Sequence, residues 1–241
     1  MHLLEGKGVT IHFGGLAAVS DVDFYLDKGE VVGLIGPNGA GKTTLFNLVS
    51  GALKPNPGEI FFKGKKINRM PAYKICRMGI ARTFQTVKIF SSMPVVDNVK
   101  IGLLFGAYGK IKKDTDAEIK NLLEFVGLDD VANTPARDLT LAHQKRIEVA
   151  RALATQPEIL LLDEIMAGLN PTELVEAMDL VKKIQKKGVT VVMIEHVMKA
   201  IMGICDRITV LDYGKKIAEG TPQEITTNKK VIEVYLGESD A

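Results

Sequence analysis

Residues 31–49, VVGLIGPNGAGKTTLFNLV, constrain the fold of this chain more than any other stretch. A continuous apolar run (31–36) reads as a strand buried on both faces. It leads into GPNGAGKT, Gly36 to Thr43, which fits G-x-x-x-x-G-K-[ST] in full, and an apolar helical run follows with Leu45, Phe46, Leu48 and Val49. A buried strand, a glycine turn and a helix in that order give the structural context this motif needs. Glycines let backbone N–H groups curl around phosphate oxygens, and the helix N-terminus adds partial positive charge. The candidate contacts are therefore Gly36, Pro37, Asn38, Gly39, Ala40, Gly41, Lys42, Thr43 and Thr44. Lys42 would reach the β- and γ-phosphates, and the Thr43 hydroxyl would ligate Mg²⁺.

A phosphate loop needs an acidic partner, and EILLLDE (158–164) offers one. A buried strand delivers Asp163 and Glu164 at its C-terminal end, where open α/β sheets bind ligands. Asp163 would hold Mg²⁺, and Glu164 would polarise an attacking water as general base. Acidic residues after apolar strands are common, so this signal gains its weight from the loop before it. His196 ends the apolar run VTVVMIEH (189–196). A lone histidine there reads as a structural residue; beside a phosphate loop it reads as a γ-phosphate sensor. Gln85, in ARTFQ, has the same two readings: a surface amide, or a site residue closing the first α/β portion.

The remaining pattern is short strands over the first thirty residues, a turn at DKGE (27–30) with Gly29, and a hairpin-rich piece at 59–67. From about 95 to 150 the texture is helical. Thr115 and Glu118 have capping-box spacing, and Gly127 ends the run Ile119, Leu122, Leu123, Val126. Strand and helix then alternate through helix 171–187 and strand 207–214, which implies a largely parallel sheet with a helical insertion. The last residues, GESDA, read as frayed. At 46% hydrophobic and 25% charged, the 241 residues are ordinary globular material. A net charge of +2 is too balanced for a nucleic-acid footprint. The lysine runs at 63–66 and 182–187 read as solvated faces. Cys76 and Cys205 are the two cysteines, read as reduced thiols of a cytosolic protein. The N-terminus, MHLLEGKGVTIHF, shows no signal peptide, and no stretch reaches the ~18 apolar residues of a membrane span.

GPNGAGKTT, RTFQ, LLLDE, AGLNP and IEHVM stand in the order and spacing of the ATPase subunits of ABC transporters, and the resemblance covers essentially the whole chain. FGGLAAV, RMGIARTFQ, AGLNPTE and MGICDRITVLDYGKKIAEGTPQEI resemble the ATPase of branched-chain amino-acid uptake systems. The resemblance implies a P-loop NTPase α/β fold with a mostly parallel sheet, an N-terminal antiparallel β-subdomain and an inserted helical subdomain. The whole chain, 1–241, is then one ATPase domain: 1–85 and 151–241 form the nucleotide-binding core, and about 86–150 the helical part facing membrane subunits. The cofactors it implies are ATP and Mg²⁺. Phe13 would stack on adenine, although an aromatic before a Gly-Gly turn equally serves packing. Gln85 would touch the nucleotide and its metal and couple them to the membrane part. Residues 167–170 would cross to a partner ATPase, and His196 would contact the γ-phosphate. The implied partners are a second ATPase, the same or different, integral membrane permeases and, indirectly, an extracytoplasmic solute-binding protein. The implied place is the cytoplasmic face of the membrane, held there peripherally.

The family's signature, usually L-S-G-G-Q, falls here on Leu139, Thr140, Leu141, Ala142 and His143. Thr140 keeps a hydroxyl for the γ-phosphate, and backbone N–H groups at Leu141 and Ala142 remain as donors at a helix start. Without glycine, a positive φ in this stretch would be strained. Ile165 also stands where a proline commonly follows the glutamate. Three outcomes compete: a tolerated signature, a degenerate one facing a different ATPase, or an inactive subunit. The resemblance makes the chain the engine of an importer of branched-chain amino acids or related solutes. The alternatives are a lipid or lipopolysaccharide exporter ATPase, a soluble ATPase without a transporter, and a P-loop kinase.

Overall fold

The computed structural model describes residues 1–106 and 115–236. The GESDA tail and residues 107–114 of the expected helical part lie outside the described residues. The chain opens with two antiparallel strands, β1 (Leu4–Phe13) and β2 (Leu16–Leu26), where sequence reading expected shorter ones. The turn at Gly14 and Gly15 joins them into one long hairpin, with register shifts between Gly6 and His12. β3 (Val31–Ile35) follows the Gly29 turn and leads into helix α1 (Lys42–Val49). β4 (Glu59–Phe62) and β5 (Lys65–Lys66) form the expected hairpin, then come α2 (Ala72–Met78) and β6 (Ile80–Arg82). Helices α3 (Val95–Phe105), α4 (Thr115–Val126) and α5 (Leu141–Ala154) fill the helical stretch. α5 runs past the expected core boundary near residue 150. The expected cap at Thr115 sits at the edge of the described residues, and the Glu118 carboxylate accepts from Gln156 Nε2. Gly127, at φ +69, closes α4. Alternation resumes with β7 (Ile159–Asp163), α6 (Pro171–Lys186), β8 (Thr190–Ile194), α7 (Met198–Ile204), β9 (Arg207–Asp212) and β10 (Lys215–Gly220). Helices α8 (Pro222–Thr226) and α9 (Lys229–Leu236) end the described chain.

Two sheets result among the described residues. One is antiparallel in the order β2-β1-β4-β5; the other runs β10-β9-β3-β8-β7-β6, parallel except at its β10 edge. All five residues of each of β3, β7 and β8 are buried. Side chains on a strand point alternately to opposite faces, so such strands need cover on both. Leu160, Leu162, Val191 and Met193 face the layer built by α3–α7. Their neighbours Ile159, Leu161, Val192 and Ile194 face α1 and the antiparallel sheet. Gly33, central in β3, lets α7 approach: a Cβ there would sit 3.0 Å from Cys205 Sγ and 3.2 Å from Ile201 Cδ1. Both cysteines are free thiols. No described helix is long and apolar enough to cross a membrane.

Because β3, β7 and β8 run parallel and adjacent, their C-terminal ends lie together along one edge. That edge carries Gly36, Asp163 and the residues after Ile194.

Candidate functional site

The loop after β3 needs its glycines. Gly36 has φ +149, and a Cβ there would sit 2.0 Å from the Leu211 carbonyl oxygen. Gly41 has φ +99, and a Cβ would meet the Ala18 carbonyl oxygen at 2.3 Å. α1 therefore starts from a left-handed Gly41, without a side-chain cap and without a carboxylate in its first turn. The positive end of α1 is left for an anion. The Lys42 ammonium, largely buried, folds back over the loop and donates to the carbonyls of Gly36 at 2.6 Å and Pro37 at 2.8 Å.

Across the edge stands Glu164, one residue beyond β7, at φ +52. Its carboxylate is held from both sides: His196 Nε2–H donates to Oε1 at 3.0 Å, and Gln85 Nε2–H donates to Oε2 at 3.1 Å. β8 stops at Ile194, so His196 lies two residues past the strand instead of ending it. Asn38 to Thr44, Gln85, Glu164 and His196 line one cleft of about 310 Å³.

Asp163 lies beneath this cleft, 1% exposed. Its N–H donates to Thr83 Oγ1 at 3.0 Å, and its Oδ2 accepts from Arg82 Nη2 at 3.3 Å. Burial pushes its carboxyl above the usual range, and the Arg82 guanidinium opposes that shift. Among the described residues, Asp163 Oδ1 has no hydrogen-bond partner. A buried carboxylate oxygen left without a partner beside a phosphate site is open to a cation. The Thr43 hydroxyl and the Gln85 amide oxygen in the cleft above it would add the oxygen donors that Mg²⁺ takes, so the chemistry of these residues fits the metal.

Several participants escaped sequence reading. Arg82 ties Asp163 to α1 through Asn47 Oδ1 at 2.6 Å and Ser50 Oγ at 3.2 Å. Its partners are distant in sequence, so no local pattern marks it. Lys145, buried on α5, donates to the carbonyls of Glu164 at 3.0 Å and Ala167 at 2.6 Å. Glu195, 2% exposed, accepts from the Met166 N–H at 2.8 Å, while among the described residues its Oε2 has no partner. Burial raises its pKa to about 7 against the pull of Lys145. Charged residues at buried positions of an apolar strand or helix are the signal that could have found both. Leu16, Ala17, Ala18 and Tyr213 also line the cleft. Phe13, 50% exposed at the tip of the β1–β2 hairpin, does not.

Thr140 and Ala142 lie outside this cleft as well. The stretch 139–143 carries no positive φ, so the strain that a positive φ would bring does not arise here. Leu139 and Thr140 are extended and Leu141 opens α5. Thr140 is the N-cap, its Oγ1 accepting from the His143 N–H at 3.3 Å. Leu141 is 47% exposed and Ala142 is buried. A separate void, lined by Leu4, Phe24, Leu45 and Phe46, is apolar and holds no chemistry.

Comparison with known proteins fits this geometry. The ABC transporter family model matches residues 19–167, and a branched-chain amino acid ATP-binding cassette transporter model matches 215–241. The chain is 43% identical to the high-affinity branched-chain amino acid transport ATP-binding protein LivG of Salmonella typhimurium, covering 98% of each. Among solved structures it resembles an ATP-binding cassette of an ABC transporter at TM-score 0.90 and 30% identity, covering 98% of this chain and 99% of that one. It also resembles a dimeric ATP-binding cassette in a post-hydrolysis state with ADP and Pi, at TM-score 0.81 and 27% identity, covering 91% and 98%.

Proposed function

The chain belongs to the ABC transporter ATPases, and from that premise we propose that it hydrolyses ATP to power uptake of branched-chain amino acids or closely related solutes through separate membrane permeases. The observation that carries the hydrolytic reading is Glu164, its carboxylate gripped by His196 and Gln85 at the mouth of the phosphate loop. Glu164 takes the proton of the attacking water, while His196 and Gln85 fix the direction in which its lone pairs point. Lys42 and the N–H groups at the start of α1 bind the phosphates. Asp163, Thr43 and Gln85 would hold Mg²⁺, which neutralises phosphate charge when bound.

The solute class is supported by the LivG likeness and by the second family match at the C-terminal end, which sets an importer above an exporter. The likeness to a dimeric cassette supports a working pair of ATPases. In that pair each nucleotide lies between one chain's phosphate loop and its partner's residues 139–143. The helical layer from about 86 to 150 would face the permeases. A solute-binding protein would deliver cargo on the far side, and the chain would sit peripherally on the membrane. The test is ATP-driven uptake of labelled leucine into proteoliposomes holding this chain and its permeases. Uptake that Lys42→Ala abolishes supports the reading; uptake unaffected by Lys42→Ala overturns it.

A further inference from the structure

We propose that Tyr213 is a base-contacting residue of the nucleotide cleft, its ring forming one wall on which a purine base stacks. Tyr213 and Gly214 are the two central residues of the β9–β10 hairpin, between the paired Asp212 and Lys215. Their φ values are +42 and +76. A two-residue hairpin with both central φ values positive favours Asn-Gly, because a bulky side chain at the first position is strained. Packing does not offset that strain, since Tyr213 is 85% exposed. A strained, solvent-facing aromatic where turn chemistry favours asparagine points to a ligand. Among the described residues five non-glycine positions have positive φ, and two of them, Glu164 and Tyr213, line the same cleft.

The turn is also fixed in place beside the phosphates. The Gly214 N–H donates to the Ala40 carbonyl at 3.1 Å, and its own carbonyl accepts from the Ser20 N–H at 2.8 Å. Tyr213 thus rides on the phosphate loop itself and shares the cleft's apolar rim with Leu16, Ala17 and Ala18. Phe13, the aromatic that the family resemblance assigns to adenine, lies outside the lining. Aromatic side chains accept any base face, so the subsite would prefer nucleotides over bare polyphosphate without sharply separating purines.

The inference rests on the cleft being a nucleotide site, and calorimetric titration separates the two. Wild type, Tyr213→Phe and Tyr213→Asn are titrated with ATP, and thermal melting checks each fold. Tyr213→Asn suits the turn and should melt no lower than wild type. It should bind ATP roughly five- to tenfold more weakly, at the low end of base–aromatic stacking, with Tyr213→Phe within about twofold of wild type. An Asn variant binding as tightly as wild type, or a Phe variant losing as much as the Asn variant, overturns the proposal. The chain has no tryptophan, so Tyr213→Trp adds a single reporter. Its emission should be quenched by ATP and not by magnesium tripolyphosphate; equal quenching by both overturns a base contact. A wild type that binds no ATP at all overturns the nucleotide reading and this proposal with it.

Discussion

Glu164 is the residue on which the proposed hydrolysis turns, and its backbone already marks it: φ +52 is rare for a glutamate. Both carboxylate oxygens are engaged, by His196 and Gln85. Glu164→Gln keeps the shape but removes the basic oxygen, so phosphate release should fall about 10²–10⁴-fold with ATP affinity retained. Release at the wild-type rate would show that the base is elsewhere. Glu195 makes a second prediction, about pH. The folded chain holds its proton more tightly than the unfolded one, with a pKa raised from 4.5 to about 7. The stabilisation from that proton is complete below about pH 4.5 and is lost as pH rises through about 7. Glu195→Gln keeps the acceptor for the Met166 N–H and never ionises. It should melt above wild type at pH 8, by at most about 3 kcal/mol of stability, and level with it at pH 5. A difference in melting that is the same at both pH values would refute the assignment. The phosphate loop and the acidic pair were legible in sequence because each is contiguous. Arg82, Lys145 and Glu195 were not, since each is defined by a partner far along the chain.

At the scale of elements, α5 shows how the family pattern misleads about backbone. Without its glycines the stretch would be strained only at positive φ, and Thr140 caps the helix while Leu141 and Ala142 are ordinary first-turn residues. Thr140→Ala should therefore cost about 1 kcal/mol in urea unfolding through loss of the cap. Restoring glycine at Leu141 and Ala142 should destabilise by about 1–2 kcal/mol instead of relieving anything. A double-glycine variant more stable than wild type would mean strain the φ values do not show. The strands were the easiest elements to read, and their limits follow from physics. β3, β7 and β8 are apolar on both faces, so position was clear while facing was not. Runs such as VTVVMIEH carry no mark where pairing stops, so the sequence reads as a strand up to His196 while β8 ends at Ile194. RITVLDYG reads as one strand to its end because tyrosine is an unusual first turn residue, whereas Tyr213 and Gly214 turn the chain into β10.

The whole molecule joins two things that a paired assembly uses on different nucleotides. Glu164 lines the cleft of the chain's own phosphate loop and would serve it, while residues 139–143 would serve the partner's. Lys145 ties them together, reaching from α5 to the carbonyls of Glu164 and Ala167. A shift of α5 on closing against a partner would reach Glu164, the proposed general base, through these two bonds. Such a chain should hydrolyse poorly alone and well as a pair, because ATP must favour the closed pair for work to be transmitted. The Mg²⁺-ATPase rate of the purified chain, measured against its own concentration with Lys42→Ala as blank, tests this. The unstrained backbone of 139–143 leads us to expect a rate per chain that climbs with concentration, two copies building a working sandwich. A rate no higher than the blank at every concentration would assign that stretch to a different ATPase partner, with Leu141, exposed where the partner's nucleotide would approach, as the first residue to exchange.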